Sequence, residues 1–123
     1  MLWKHVLESL AFLLYFHDTR NMNTSKTVAI LGALAQETRL DIFRLLVRAG
    51  DRGVAAGAIA KKLGVPAATC SFHLKELKAG QVITCQRDGR SLIYRADFAT
   101  MQQLLAYLIK NCCQGDHNLN EKV

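Results

Sequence analysis

A single proline and eight glycines in 123 residues exclude a collagen-like repeat or a proline-rich tract. Aromatic residues make up only 7% of the chain and charged residues 21%, while half is apolar. That balance builds a core and excludes a mostly disordered segment. No apolar run reaches the roughly 18–20 residues needed to span a bilayer. The four cysteines form no Cys-Xaa-Xaa-Cys pair, which removes zinc ribbons and thioredoxin-type motifs. The sequence shows no glycine-rich phosphate cradle, no adenosyl-cofactor loop and no nucleophile–base pair. A small metal-handling enzyme is therefore poorly supported, and no permanent cofactor is expected. The length fits one domain.

What is present is a localised positive charge. The net charge is +6. Between Glu37 and Arg95 there are eleven Lys/Arg against five Asp/Glu, and the flanks hold five of each. The basic excess sits in the middle of the chain and favours a polyanion, nucleic acid first and an anionic membrane second.

Residues 1–21 differ from the rest. Leu2, Val6, Leu10, Leu13 and Leu14 fall at helical spacing. Glu8 lies inside the apolar stretch and no small-residue cleavage site follows, so an accessory amphipathic helix fits better than a signal peptide. The functional domain is expected over residues 22–115, with a tail at 116–123. Thr24 or Ser25 is expected to cap a helix bearing Val28, Ile30, Leu31 and Leu34. Residues 37–49 place Leu40, Phe43, Leu46 and Val47 on a buried face. Gly50–Gly53 reads as a loop. A short helix spans 55–63, and after Gly64-Val65-Pro66 another runs from about 66 to 78, with Phe72, Leu74 and Leu77 as apolar contacts and Gly80 as its stop. Residues 81–86 and 91–95 read as strands flanking the tip Arg87-Asp88-Gly89-Arg90. Asp97 caps a last helix through about Cys113. The expected fold is mainly α with a small β-hairpin: a helix-turn-helix followed by a basic wing.

The candidate DNA-contacting residues follow from that arrangement. Ala67, Ala68, Thr69 and Ser71 are small enough to let a helix approach a major groove. Thr69, Ser71 and His73 can donate to phosphates or base edges, Phe72 belongs to the same helix, and Lys75 and Lys78 add phosphate contacts. Arg87 and Arg90 offer guanidiniums from the wing.

The runs Glu37–Leu46, Ile59–Gly64, Ser71–Leu77 and Arg87–Arg90 resemble the arsenical-repressor (ArsR/SmtB) family of winged helix-turn-helix regulators. The resemblance covers about residues 25–115. It implies a homodimeric, cytoplasmic, DNA-binding repressor that dimerises through its first and last helices. Such a repressor leaves double-stranded operator DNA on binding a metal, a metalloid or a redox signal. The family's arsenite pair before the short helix is absent, because Ala55, Ala56 and Gly57 occupy it. The Asp/His/Glu set of the last helix is absent too.

Cys112 and Cys113 are the remaining sensor candidates. They resemble the C-terminal pair of an arsenite-responsive subgroup that ends in a similar Asn-Cys-Cys-Xaa-Gly, here Asn111 to Gly115. Soft thiolates suit soft, thiophilic ions, so a trivalent arsenic or antimony species is the expected inducer. The subgroup's third cysteine is missing. A two-thiolate site suits an organoarsenical such as methylarsenite, which has two exchangeable hydroxyls. Arsenite has three, and Cys85 or Cys70 is the candidate third ligand. Two competing readings stand. Cys112 continues the seam Phe98, Met101, Leu105 and Leu108 and could simply pack, although that leaves Cys113 about 100° around the helix unexplained. Alternatively the thiols sense oxidation or persulfidation. A protein-interaction role for residues 1–21 is a further reading, of another class.

Overall fold

The computed structural model describes residues 22–112. Cys113, the accessory helix expected in 1–21 and the tail at 116–123 lie outside the described residues. Among those described, five helices pack around a three-stranded antiparallel sheet.

Helix α1 spans Thr24–Leu34. Its cap is Asn23, one residue ahead of the expected Thr24 or Ser25. The Asn23 carboxamide oxygen accepts from the Lys26 amide at 2.8 Å, which satisfies a first-turn N–H. Helix α2, Glu37–Ala49, is capped by the Gln36 side chain, which accepts from the Arg39 amide at 2.8 Å. The Arg39 guanidinium turns back to donate to the Ala33 carbonyl at 2.7 Å, closing the free end of α1. The buried face of α2 is Ile42, Phe43 and Leu46, whereas Leu40 and Val47 are exposed. Both sets have helical spacing, and only packing against the later elements chooses between them. Likewise, α1 buries Thr27, Ile30 and Ala33 and leaves Val28 and Leu31 outside.

The Gly50–Arg52 segment is a 3-10 turn rather than a loop. Strand β1, Val54–Ala55, follows, and then helix α3, Ala56–Leu63. Strand β1 is not legible from the sequence, where Ala55 reads as the first residue of the short helix. Two residues are too few to show a period, and the strand exists because β3 pairs with it at Val54↔Tyr94 and Ala55↔Ile93. Helix α4 spans Ala67–Ala79 with Pro66 as its N-cap, and the Pro66 carbonyl accepts from the Cys70 amide at 2.9 Å. Strands β2, Ile83–Asp88, and β3, Ser91–Ala96, form the hairpin. Arg87 and Asp88 belong to β2, so the loop is only Gly89-Arg90. Helix α5 spans Phe98–Leu108 and is capped by Asp97, which accepts from the Thr100 amide at 3.1 Å.

Helix α4 does not end in the way Gly80 suggested. Gly80 has a right-handed φ of −76°. The left-handed position is Gln81, at φ +63°. The Val82 amide donates to the Leu77 carbonyl at 3.3 Å and the Gln81 amide to the Lys78 carbonyl at 3.0 Å. That is a Schellman end with a glutamine where glycine is usual. Glycine is required at 80 for a different reason: a Cβ there would lie 2.5 Å from the Ala33 Cβ of α1.

The core runs through the centre of these elements. Ile42, Leu46, Ile59, Leu74, Leu77 and Val82 are fully buried, joined by Cys70. Helix α4 is therefore anchored by Cys70, Leu74 and Leu77, one stripe at helical spacing, and its opposite side is free.

Candidate nucleic-acid interface

Helices α3 and α4, joined by Gly64-Val65-Pro66, form the helix-turn-helix. The inward stripe of α4 determines what faces out. Ala67, Ala68, Thr69 and Ser71 are exposed on its first turns, and Lys75 and Lys78 further along. Phe72 was expected as an apolar contact within the fold, yet it is 57% exposed. It lies off the Cys70–Leu74–Leu77 stripe. His73 is half-buried and meets Phe72 edge to face, with ring centroids 5.6 Å apart. Its Nδ1 is buried without a hydrogen-bond partner. The exposed face thus presents hydroxyls, an aromatic ring and ammonium groups beside small N-terminal residues, which is a surface suited to groove and phosphate contacts.

In the wing, Arg87 is exposed on β2 and Arg90 is exposed in the two-residue loop. Arg95 plays a different part, which no sequence signal disclosed. Its Nε donates to the Asp51 carbonyl at 2.7 Å and another guanidinium nitrogen donates to the Gln86 carboxamide oxygen at 3.2 Å. It braces the root of the wing against the 3-10 turn.

The three described cysteines lie in three different environments. Cys70 is 1% exposed on the inner face of α4, and burial pushes its thiol pKa up. Cys85 is half-buried on β2 and pairs across the hairpin with Tyr94. The Tyr94 hydroxyl pKa is also raised, first by burial and then by its hydrogen bond to Cys85 and the nearby Cys85 and Cys70 thiols. Tyr94 is a neighbour that sequence reasoning missed, since only the strand register reveals it. Cys112 is exposed and lies beyond the end of α5. The helix was expected to continue to about Cys113. It stops at Leu108, and Asn111 then takes a left-handed φ of +66°. Cys112 therefore does not continue the α5 seam as a packed helical residue. Among the described residues no group of three His, Cys, Asp or Glu could hold a metal ion. None of their helices is long and apolar enough to cross a membrane.

Helices α1 and α5, the first and last among the described residues, come together where Thr24 Oγ1 lies 3.2 Å from the Tyr107 hydroxyl. Both carry apolar side chains on the outside: Val28 and Leu31 on α1, and Phe98, Leu105 and Leu108 on α5, with Ile109 just after it.

A helix-turn-helix anchored by an apolar stripe, with a braced basic hairpin behind it, defines a winged helix-turn-helix DNA-binding domain. Comparison with known proteins agrees. The helix-turn-helix domain family matches residues 34–86. The homodimeric winged helix-turn-helix domain of Mb0332 from Mycobacterium bovis, a possible ArsR-family regulator, is 31% identical, with a TM-score of 0.57, over 68% of this chain and 78% of that one. The regulator KmtR of Mycobacterium tuberculosis is 29% identical over 84 residues, 68% of this chain and 62% of KmtR. The chain thus spans less than two thirds of that relative. The repressor SdpR of Bacillus subtilis is 29% identical over 90 residues, 73% of this chain and 97% of SdpR. The chain belongs to the ArsR-like family of winged helix-turn-helix transcriptional regulators.

Proposed function

We propose that this protein is a homodimeric, cytoplasmic repressor released from operator DNA by a trivalent arsenical at Cys112 and Cys113. The observation that carries the reading is Cys112, an exposed thiol next in sequence to a second one, just beyond the helix that bears the unpartnered apolar face. Dimerisation through the exposed sides of α1 and α5 would bury Val28, Leu31, Leu105 and Leu108. Two α4 helices would then meet one side of the duplex about one helical turn apart. Repression is supported by the name of SdpR, and a homodimer by the Mycobacterium bovis domain.

The chemistry balances without a further reactant. Methylarsenite, CH3As(OH)2, condenses with two thiols to give CH3As(SR)2 and two waters. A site of two thiols is filled by that ligand, whereas arsenite keeps one hydroxyl unless a third sulfur arrives. Burial keeps Cys70 protonated, which makes it a poor third ligand, and Cys85 is tied to Tyr94. The methylated arsenical is therefore the favoured inducer. Release of 99% of the DNA requires the ligand to favour the released state by several kcal/mol, which arsenic–thiolate bonds can supply.

The test uses a duplex that the protein itself selects from a random pool. DNA binding is followed by fluorescence anisotropy during titration with arsenite, methylarsenite and diamide, for the parent and for Cys112→Ser/Cys113→Ser. Release by methylarsenite that is lost in the double variant is expected. Equal release by arsenite would bring in Cys85 or Cys70 as third ligand. Release by diamide alone would replace arsenical sensing with a thiol redox switch.

A further inference from the structure

A cleft of about 680 Å³ opens beside the helix-turn-helix, lined by Leu45, Arg48, Ala49, Arg52, Gly53, Val54, Lys62 and Leu63. Its three cations come from three different elements: the last turn of α2, the 3-10 turn and the last turn of α3. No carboxylate lines it. None of the three cations makes a hydrogen bond or an ion pair with any described residue. A cation in the last turn of a helix is favourable for that helix, which accounts for Arg48 and Lys62 one at a time. It does not account for Arg52, nor for the convergence of all three on one hollow without a counter-charge. All three are exposed, so solvent screens part of their mutual repulsion, and an anion held between them would offset the rest.

The remaining walls narrow the class of ligand. Leu45, Val54 and Leu63 are half-buried and give the cleft an apolar floor. The volume lies in the range of small-molecule sites, in which apolar walls carry a few convergent polar groups. We propose that this cleft is an oxyanion-binding site, distinct from the recognition face of α4 and from Cys112. The oxyanion is a phosphate or carboxylate, carried either by a free small molecule or by the DNA backbone flanking the recognised site.

The cleft is mechanically connected to the wing. Val54 pairs with Tyr94 of β3. A Cβ on Gly53 would lie 2.7 Å from Ile93 Cγ2 and 2.9 Å from the Tyr94 carbonyl oxygen, so turn and wing are in direct contact there. Arg95 holds the carbonyl of Asp51, the neighbour of Arg52. An anion drawing Arg52 inward therefore acts on the turn that braces the wing. Ligand and DNA affinity are then linked, and the linkage is reciprocal.

The experiment uses the full chain and inorganic pyrophosphate as the probe, with ionic strength held constant by chloride. Saturable backbone amide shifts confined to residues 45–63 are expected in the parent. In Arg48→Gln/Arg52→Gln/Lys62→Gln the affinity should fall at least tenfold. The single variant Arg52→Gln serves if the triple variant does not fold, with a smaller loss in the same direction. A second arm measures the salt dependence of binding to a short mixed-sequence duplex. A free small molecule is the natural ligand if pyrophosphate saturates and the triple variant keeps the parent's salt slope. The DNA backbone is the source if the slope falls by about 2–3, roughly 0.9 per lost phosphate contact. Pyrophosphate shifts no greater than those of chloride, together with an unchanged slope, would overturn the proposal.

Discussion

Gln81 and Gly80 have exchanged the duties that their residue types suggest. Gln81 holds the left-handed conformation at the end of the recognition helix, and Gly80 holds the close contact with Ala33. A left-handed φ costs a residue bearing a Cβ about 1–2 kcal/mol. Gln81→Gly should therefore raise stability by about 1 kcal/mol, read as a higher urea midpoint. Gly80→Ala should lower it by about 1–3 kcal/mol, because two Cβ atoms on rigid helices cannot share the space. Glycine at 80 announced correctly that the helix ends there, and wrongly by which mechanism. The missing information was the position of Ala33, which is far away in sequence. Ionisation belongs to the same scale. The Cys70 thiol and the Tyr94 hydroxyl both have raised pKa values in the fold. Each stays protonated in the fold at a pH where the unfolded chain has released its proton. Their contribution is intact below the ordinary pKa values and is lost as pH climbs through the folded ones. The urea midpoint should hold between pH 7 and about 8.5 and decline above about pH 9. Cys70→Ala should remove part of that decline.

Among the elements, the recognition helix was the most legible. Leu74 and Leu77 read inward from the sequence, but so does Phe72; the buried stripe is Cys70, Leu74 and Leu77, at i, i+4 and i+7, and it turns Phe72 outward with Thr69, Ser71 and Lys75. Helix α2 was less so, since Leu40–Phe43–Val47 and Ile42–Leu46 have equally good helical spacing. Strand β1 was illegible, because its two residues owe their conformation to β3. The early end of α5 was hidden as well: apolar spacing continues past Leu108 while the backbone does not. On α4 the outward residues should divide by role. Lys75→Gln should weaken binding to all DNA sequences alike and lower the salt slope by about 1. Ser71→Ala should leave the slope unchanged and alter the preferred sequence, read by selection from a random pool. Arg90→Gln, on the wing loop, should resemble Lys75→Gln.

For the whole molecule, the outer faces of α1 and α5 are the feature that one chain leaves unresolved. Leu105 is 53% exposed and Ile109 is 63% exposed. Large apolar groups clustered on neighbouring elements mark an association surface. Leu105→Glu should yield a folded monomer by sedimentation, with helical content retained. Its DNA affinity should fall at least tenfold, because two half-sites no longer act together. Legibility at this scale came from the order of motifs, which ran helix, helix, helix-turn-helix, hairpin, helix. It did not extend to the cleft of Arg48, Arg52 and Lys62, whose members are separated along the chain and meet only after folding.

The contact between Gly80 and Ala33 carries a consequence for the DNA that such a dimer would accept. It locks the end of the reading helix to α1, one of the two helices on the proposed dimer face, with no side chain between them to yield. In such a dimer that packing would hold the distance between the two reading heads, like the gauge of a track. One base pair inserted between the half-sites moves the second by about 3.4 Å and turns it by about one tenth of a revolution. A dimer with a compliant joint would absorb such a change. This one should reject it, and its operators should share one spacing even where their sequences differ.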